Sequence, residues 1–463
     1  MAIVAKASHP QRRGLLAGCG DRPVSLTFHT TESVRSWGRV VRRSQQVMRP
    51  ELVSDLVDWA AGDKGGRLAA GLGRSYGDSG LFSDGRLILT SRLDRFISFD
   101  GAGLLRAQAG LSLGALLEFA VLRGWFLPVT PGTKHVTLGG ALANDVHGKN
   151  HTRAGAFGRH VKGFTLLRSD RGVVEVTPTS EPALFAATIG GLGLTGIVLD
   201  ATLQLSPITS AYLEVERLPV GDLDDLFALN SSSLPHYEQT VAWIDGTRRG
   251  SRTGLGVFER ANWTEAGGLT VHDERSVSIS APAPRFALNA LAVGTFNRAY
   301  RAVQLRNRQI SQMHYSSLFY RLDLVENWNK LYGRAGFFQY QCVVPLDYGR
   351  DAIGEMLDTA SRSSECSPLV VLKTFGDLSS PGMLSFPREG YTLALDFVNR
   401  GPATLNLLTR LDDIVRSAGG ALYPAKDGRM PRSMFDFSYP QLERFLSLRD
   451  PACGSDFAQR MGL

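Results

Sequence analysis

Three features of the sequence predict a mixed α and β protein built as two lobes or domains. A chain of 463 residues is too long for a single hydrophobic core. Helix-patterned and strand-patterned segments interleave as far as Pro207. Beyond it, to about Gly420, longer polar stretches surround an aromatic-rich middle, and compact motif-like sequence resumes at Leu422.

In chain order, residues 1–30 lack periodicity and read as a loose tail. From Ser36-Trp37-Gly38-Arg39-Val40 onward the chain reads as folded. Pro50 precedes Leu52, Val53, Leu56, Val57 and Trp59-Ala60 at helical spacing, with Gly62 as the stop. Arg67–Ala70 is a short strand running into a glycine-rich loop. Arg86–Thr90 and Leu104–Ala109 are further strands, and Leu113–Arg123 is a helix ended by Gly124. Phe164–Arg168 and Val173–Val176 form a hairpin about Asp170-Arg171-Gly172. Glu181–Thr188 is a short helix, and Thr195–Leu205 a long β-rich run. Past Pro207, strands are expected at Val241–Ile244, Phe337–Val344, Leu369–Lys373 and Tyr391–Phe397.

Composition narrows the function classes. The 43% hydrophobic and 21% charged residues are ordinary for a soluble globular protein. The 50 glycines cluster without a repeat, which excludes a fibrous chain and implies tight backbone approaches. A net charge of +7 suits an anionic cofactor or substrate, or an acidic membrane surface. No basic stripe with interleaved aromatics and no zinc-finger spacing occurs, so a nucleic-acid partner is not expected. Cys19, Cys342, Cys366 and Cys453 are scattered, and read as free thiols in a reducing, cytoplasmic compartment. Met1–Asp21 lacks the apolar core of a secretory leader, and no apolar run approaches membrane-spanning length.

Three glycine-rich segments carry the chemistry. Gly71-Leu72-Gly73-Arg74-Ser75-Tyr76-Gly77-Asp78 follows a strand, where successive N–H groups can converge on a pyrophosphate. Pro131-Gly132-Thr133 with Val136-Thr137-Leu138-Gly139-Gly140-Ala141 would let the backbone approach a flat ring, or would serve a close strand–helix crossing. Gly191-Leu192-Gly193-Leu194-Thr195-Gly196 matches GxGxxG, but a helix precedes it and a β-branched run follows. That is the reverse of the Rossmann order, so no NAD site of that type is expected. In His147-Gly148-Lys149-Asn150-His151 the two histidines are four apart as in zinc proteases. The intervening Glu is missing, and Gly148 and Asn150 weaken the helix such a site needs, so no metal is expected. A histidine beside a cofactor is the better reading, with a solvent-facing loop histidine the alternative. No GxSxG elbow, Walker A loop or cysteine nucleophile motif occurs, which favours cofactor-borne redox chemistry over nucleophilic catalysis.

Taken together, GLGRSYGD, PGTKHVTLGGALANDVHGKNH, GGLGLTGIV and LYPAKDGR resemble the vanillyl-alcohol-oxidase (PCMH) type of FAD enzyme. Within that type they are most similar to the decaprenylphosphoryl-β-D-ribose 2-oxidase family. FNRAY, WNKLYGRAGFFQYQ and LSFP add to the likeness, which runs from about Trp37 to the C-terminus. The resemblance implies a two-domain α+β PCMH-type fold. A tail over 1–29 would precede an FAD domain of 30–209 plus 420–463, with an antiparallel-sheet substrate domain over 210–419. It implies non-covalent FAD, since Arg74 stands where covalently linked relatives carry histidine.

Carried over by motif, Gly73, Arg74, Ser75, Tyr76 and Gly77 line the pyrophosphate together with Gly132, Thr133, Thr137, Gly139 and Gly140. Ala143, Asn144, His147, Gly148, Gly193, Gly196, Ile197 and Tyr423 surround the flavin. His147, Lys149, Gln341, Lys373 and Lys426 face the substrate, with Trp243, Phe375 and Thr392 as walls. Ala394 replaces the cysteine of mycobacterial members, which nitroaromatic inhibitors attack and which takes no part in the oxidation.

The implied activity is oxidation of the ribose 2-hydroxyl of a polyprenyl-phosphoryl ribose to the 2-keto sugar. It would be the first half of an epimerisation toward the arabinose donor for cell-envelope glycan, with a short-chain NAD(P)H-dependent keto-reductase as partner. Lys426 is the first candidate to contact that hydroxyl and His147 the second. The alternatives are an oxidase of free alditols or aldonolactones, and a flavin-binding partner subunit with little catalysis. Arg285–Tyr320 mixes Phe286, Leu288, Leu291 and Phe296 with Arg298, Arg301, Arg306 and Arg308. It reads equally as a flap docking peripherally on acidic lipids of the inner membrane, or as a solvated helix with a core-facing stripe.

Overall fold

The computed structural model describes residues 26–271, 276–284, 288–306, 310–363, 365 and 367–463. Strands β1 (His29–Thr31), β2 (Gln45–Met48), β3 (Arg67–Ala70) and β4 (Arg86–Leu89) form a sheet ordered β1-β2-β4-β3, with β4 parallel to both neighbours. A second, antiparallel sheet contains β5 (Phe96–Phe99), β6 (Leu104–Gln108), β8 (Val161–Arg168), β9 (Gly172–Val176) and β10 (Ile197–Gln204), ordered β5-β6-β10-β8-β9. The short β7 (Trp125–Phe126) pairs with β11 (Ser206–Pro207).

The rest of the chain builds one eight-stranded antiparallel sheet. It contains β12 (Tyr212–Val220), β13 (Gln239–Ile244), β14 (Gly256–Trp263), β16 (Ser311–His314), β18 (Phe337–Val344), β19 (Val370–Phe375), β20 (Gly390–Val398) and β21 (Ala421–Leu422). Its order is β16-β12-β14-β13-β19-β20-β18-β21. β15 (Val277–Ser278) and β17 (Val325–Glu326) form a separate parallel pair.

Local chemistry accounts for most element boundaries. The helix Leu113–Val121 starts at Ser112, whose side chain accepts from Ala115 N, and the chain turns away at Gly124 with φ of 77°. The β8–β9 hairpin closes with Arg168 opposite Gly172, as Asp170-Arg171-Gly172 predicts. β18 is buried along its whole length, so both its faces are covered. Phe338, Tyr340, Cys342 and Val344 point into the main core with Ile353 and Met356 of the helix Leu346–Arg362 and Leu407 and Leu411 of the helix Pro402–Ser417. The alternate residues Phe337, Gln339, Gln341 and Val343 therefore occupy the opposite face, by the period-two rule of a strand. Two glutamines on a buried face need partners, and that face is the site.

The returning C-terminal segment ties the two sheet systems together. β21 pairs with β18. Farther on, Arg67 N donates to Ala452 O at 2.8 Å, and Asp450 accepts from Ser169 N at 2.7 Å. Arg460 forms a bidentate pair with Asp78 at 2.7 and 2.9 Å, and also reaches Asp427.

Two expectations change. Leu26 and Phe28 pack on the core near Trp59, with the Phe28 ring 5.6 Å from that indole, so ordered chain begins ahead of residue 30. Isolated apolar contacts of this kind leave no periodic trace. The strand read as Leu369–Lys373 runs on to Phe375, which brings that ring into the sheet. Of the Arg285–Tyr320 stretch, Arg285, Phe286 and Arg308 lie outside the described residues. The helix Ala290–Gln304 buries Val293, Gly294 and Asn297 and leaves Leu291, Phe296 and Val303 exposed. It therefore has a core-facing stripe and, beside it, apolar residues in solvent.

Candidate functional site

The glycine segments meet around the short helix Leu138–Ala143. Arg74 Nε donates to His135 O at 3.2 Å, and its guanidinium lies 4.0 Å from the Trp37 ring centre. Gly71 stands so close to Thr137 that a Cβ there would lie 2.3 Å from Oγ1. Leu192 N donates to Ala143 O, and Gly190 N to Leu142 O. All three segments thus border one cleft, although they are far apart in sequence.

Main-chain donors line that cleft. The N–H groups of Leu72, Gly73, Arg74 and Ser75 donate to no group among the described residues. Gly73 holds φ of 64°, the left-handed conformation that turns successive N–H groups to one side. Nothing lies within 4 Å of where a Cβ on Gly132 would stand. Thr133 and Thr137 are engaged locally, their hydroxyls accepting from His135 N and Gly140 N.

Other residues from the same motifs pack against protein. A Cβ on Gly139 would meet Ala109, one on Gly148 would meet Asn150 and Thr130, and one on Gly196 would meet Leu166 and Leu167. Ile197 is wholly buried with Met48, Leu56 and Leu199. The Cβ position of Gly193 has one neighbour, Leu68, at 3.4 Å. Gly77 is the tightest contact, since a Cβ would fall 1.4 Å from Asp427 O. It lets the first loop abut the returning segment, where Tyr76 N donates to Ala425 O at 2.9 Å.

His147 sits where the cleft meets the large sheet. Its ring centre is 4.8 Å from Phe375, 5.3 Å from Tyr423 and 5.7 Å from Phe386, and Phe386 stacks on Tyr423. The Gln341 amide nitrogen lies 3.0 Å from His147 Nε2 and 3.2 Å from Thr392 Oγ1. An amide donor makes that Nε2 the acceptor, so the ring proton belongs on Nδ1. Burial, and then the charges of Lys373, His151 and Lys426, push the imidazolium pKa well below its usual value, so the ring is neutral. His147 Nδ1 and the nearby Asn144 Oδ1 are buried and have no hydrogen-bond partner among the described residues. The Tyr423 hydroxyl donates to Asn144 O at 2.9 Å.

Asp145, between these two, was not singled out from the sequence. It is fully buried at φ of 40°, and its carboxylate accepts from Gly158 N at 2.7 Å and from the hydroxyls of Ser380 and Ser385. It latches the LSFP segment of the large-sheet half onto the glycine-loop half. A non-glycine residue at positive φ is a backbone property, and nothing in ANDVHGKNH announces it.

The sheet face opposite the cleft is built from side chains. In β20, Ala394 pairs with Gln341 and Val371, and Thr392 with Val343 and Lys373. Lys373 has no hydrogen-bond or ion-pair partner among the described residues. Its pKa falls to about 7, through burial and then the charge of Lys149. Lys426 lies with its ammonium 3.8 Å from the Tyr76 ring centre, beside a small cavity lined also by Gln339, Gln341 and Tyr423. Its pKa also falls to about 7, because burial and Lys373 outweigh Asp396. Asp396 accepts from Gln339 Nε2 and Tyr332 Oη, each at 2.7 Å, and burial raises its pKa to about 6. Lys149 is engaged by Glu259 at 3.1 Å and by Leu318 O at 2.8 Å. The Trp243 ring packs tilted against Tyr300, their centres 4.8 Å apart.

Tyr332, Gln339, Asp396 and Glu259 were missed in the sequence. The available signal was a polar residue on an otherwise apolar strand, as in Phe-Phe-Gln-Tyr-Gln and Leu-Ala-Leu-Asp-Phe. Among the described residues, no three His, Cys, Asp or Glu side chains gather as the ligands of a metal ion.

The site suits a group that carries a pyrophosphate and a flat ring. Free N–H groups on the Gly73 loop supply an anion cradle, and the orphaned His147 Nδ1 and Asn144 Oδ1 offer a donor and an acceptor to a polar ring edge. Comparison with known proteins agrees. Residues 46–177 match the FAD binding domain family. The chain is 27% identical to the alditol oxidase of a Streptomyces species over 42% of its length and 46% of that protein. It is 34% identical over 76% of its length to an uncharacterized protein of Streptomyces coelicolor, all of which is covered. To the decaprenylphosphoryl-β-D-ribose oxidase of Mycolicibacterium smegmatis it is 34% identical over 94% of its length and 98% of that protein. A likeness of that extent, over both the glycine cleft and the lysine-bearing sheet, makes the chain a member of the decaprenylphosphoryl-β-D-ribose oxidase family and an FAD-dependent oxidoreductase of the two-domain α+β, PCMH type.

Proposed function

We propose that the protein oxidises the 2-hydroxyl of a polyprenyl-phosphoryl-β-D-ribose to the 2-keto sugar. The observation that carries this reading is the pair of half-buried lysines, Lys373 and Lys426, on the sheet face across from the FAD cleft. FAD, held without a covalent link by the Gly73–Gly77 and Gly132–Gly140 segments, His147 and Tyr423, supplies the hydride acceptor when bound. The chain's own residues do the rest. An amine with a pKa near 7 is neutral in a large fraction of molecules at neutral pH, so Lys426 can take the hydroxyl proton as the C–H bond breaks. Neutral His147, fixed by Gln341, holds a donor toward the ring edge without adding charge. Thr392, Phe375 and Trp243 wall the sugar, and Ala394 leaves no thiol there for covalent capture.

In this reading residues 30–209 with 420–463 form the FAD domain, and 210–419 the substrate domain. A short-chain keto-reductase would take the product onward. No helix among the described residues is long and apolar enough to cross a membrane. The exposed Leu291, Phe296 and Val303 and Arg298 of the helix Ala290–Gln304, with Arg306 just past its end, have the composition for peripheral contact with acidic lipid. Failure to co-sediment with anionic liposomes would remove that contact.

Anaerobic mixing with a polyprenyl-phosphoryl ribose tests the assignment. The flavin absorbance should bleach in a single turnover. Bleaching by free alditols with none by the lipid sugar would replace it with alditol oxidation.

A further inference from the structure

The cations on the sheet face extend beyond the two lysines just described. Glu259 on β14 stands at the centre of three of them. Its Oε1 accepts from Lys149 Nζ at 3.1 Å, and its Oε2 from Arg217 Nε at 2.9 Å and Arg321 Nη2 at 2.8 Å. Burial alone would raise the pKa of this carboxyl, but Lys149, Arg321 and Arg217 overcome burial and hold it far below the usual range. One carboxylate cannot neutralise three cations, so positive charge remains in excess at a largely buried place. Lys373 adds to that excess, and burial and Lys149 are the influences on its charge.

The geometry gives these groups an order. Arg217 pairs with Glu259 across β12 and β14, and Glu259 with Val241 across β14 and β13. Trp243 pairs with Val371 across β13 and β19, which places Val241 and Lys373 next along the same face. There Thr240 N donates to Lys149 O at 3.0 Å, carrying Lys149 in between. Lys426 feels Lys373, and Lys373 feels Lys149. The sequence of charges is Lys426, Lys373, Lys149, Arg321, and the last has 35% of its side chain exposed. Arg321 uses one N–H on Glu259 and one on the Tyr300 hydroxyl, which leaves others for a ligand.

We propose that Lys373, Lys149 and Arg321 form the binding site for the phosphodiester anion of the substrate, with Glu259 fixing the outer two cations in place. The proposal rests on the polyprenyl-phosphoryl ribose reading and specifies how its charge is recognised. A phosphate on C1 is vicinal to the hydroxyl on C2, so the cation that meets it must neighbour the group that meets the hydroxyl. Lys373 is that neighbour of Lys426. The Trp243–Tyr300 pair beside Arg321 then meets the start of the lipid where the track opens to solvent.

Calorimetric titration of the FAD-loaded protein with farnesyl phosphate, which has the lipid phosphate but no ribose, tests the site directly. Binding should be salt-sensitive. It should weaken at least about tenfold in Lys373→Met and in Arg321→Gln, each compared at equal bound flavin. Lys373→Arg should recover most of it, while Arg350→Gln, which breaks a surface pair with Asp224, should not matter. Farnesol should bind weakly and alike in all. Equal affinity of wild type and both variants for farnesyl phosphate, or none at millimolar concentration, overturns the site. If the phosphate binds as expected but the lipid sugar leaves the flavin oxidised, the ribose reading fails and the anion site stands. Bleaching without variant-sensitive phosphate binding has the opposite meaning.

Discussion

The two walls of the active cleft are made in different ways. On one side the chain presents its backbone, with the N–H groups of Leu72–Ser75, unpaired among the described residues, and the bare Cα of Gly132, both proposed to meet the flavin cofactor. On the other, an antiparallel sheet presents long side chains whose charges are poorly matched, with Lys373 unpaired among the described residues and Glu259 outnumbered. The backbone wall depends on shape, where one added carbon decides whether the loops can meet. The side-chain wall depends on charge, where a substitution keeps the fold and alters chemistry. Variants should therefore separate into losses of flavin on one side and losses of turnover on the other.

Gly77→Ala should have the largest effect. Its Cβ would stand 1.4 Å from Asp427 O, a backbone atom of the segment that also carries Lys426, so the loop or the returning chain must move. The expected product is protein without bound flavin or without a cooperative melt, read from its visible absorbance and thermal unfolding. A yellow, normally melting Gly77→Ala protein would show that the two segments are looser than the structure has them.

Lys426→Met should keep its flavin and lose about 10²–10⁴ in the rate of flavin reduction, the usual range for a positioned base. With a pKa of about 7, the wild-type rate should rise with pH through that value and level off above it, as the amine loses its proton. Asp396, Lys373, His147 and Tyr76 are the groups that face this amine; Asp396 and the face of the Tyr76 ring favour its charged form, and Lys373 opposes it. Asp396→Asn should therefore move the inflection to lower pH. Near-normal reduction by Lys426→Met would leave the lysine as a binding group.

The contrast between the walls also explains what could be read beforehand. Gly73, Gly77 and Gly132 sit in short, dense motifs, because a backbone cradle must be local in sequence. The large-sheet face gathers Glu259, Gln341, Lys373 and Asp396 from four separate strands, which only strand register brings together, and Lys149 joins them from a loop held by Thr240 N. Family likeness supplied Lys373 and Gln341. No motif supplied Glu259 or Asp396: the one cue, an acidic residue within a strand pattern, reads first as a solvent-facing position. Secondary structure was legible where periodicity or glycine punctuated it, as at β3, β18 and the β8–β9 hairpin. It failed at Leu26 and Phe28, where two side chains dock without a regular element.

Glu259→Gln should be costly but not fatal. Removing the charge leaves Lys149, Arg217 and Arg321, each partly exposed, facing one another; breaking a fully buried pair costs about 3–5 kcal/mol, and the solvent that reaches these cations keeps the loss below that. A lower melting temperature with flavin content preserved is the expected result. An anionic ligand should restore part of the loss, because it would replace the missing negative charge. Unchanged melting would mean that water already screens the three cations.

Lys373→Met gives the smallest effect and the opposite sign. The folded-state pKa of about 7 lies below the ordinary lysine value of 10.5, so between those values the unfolded chain holds a proton that the folded chain has released. Stability contributed at this position is then present above about pH 10.5, declines as pH falls toward 7, and is lost in full below it. A methionine carries no such penalty and fills similar space. The variant should melt roughly 2–4 °C higher at pH 7, with the gain vanishing at alkaline pH. A lower melting temperature at pH 7 would mean that the amine has a stabilising partner in solution. The side-chain wall would then be as well matched as the backbone wall, and the proposed demand for a bound anion would lose its basis.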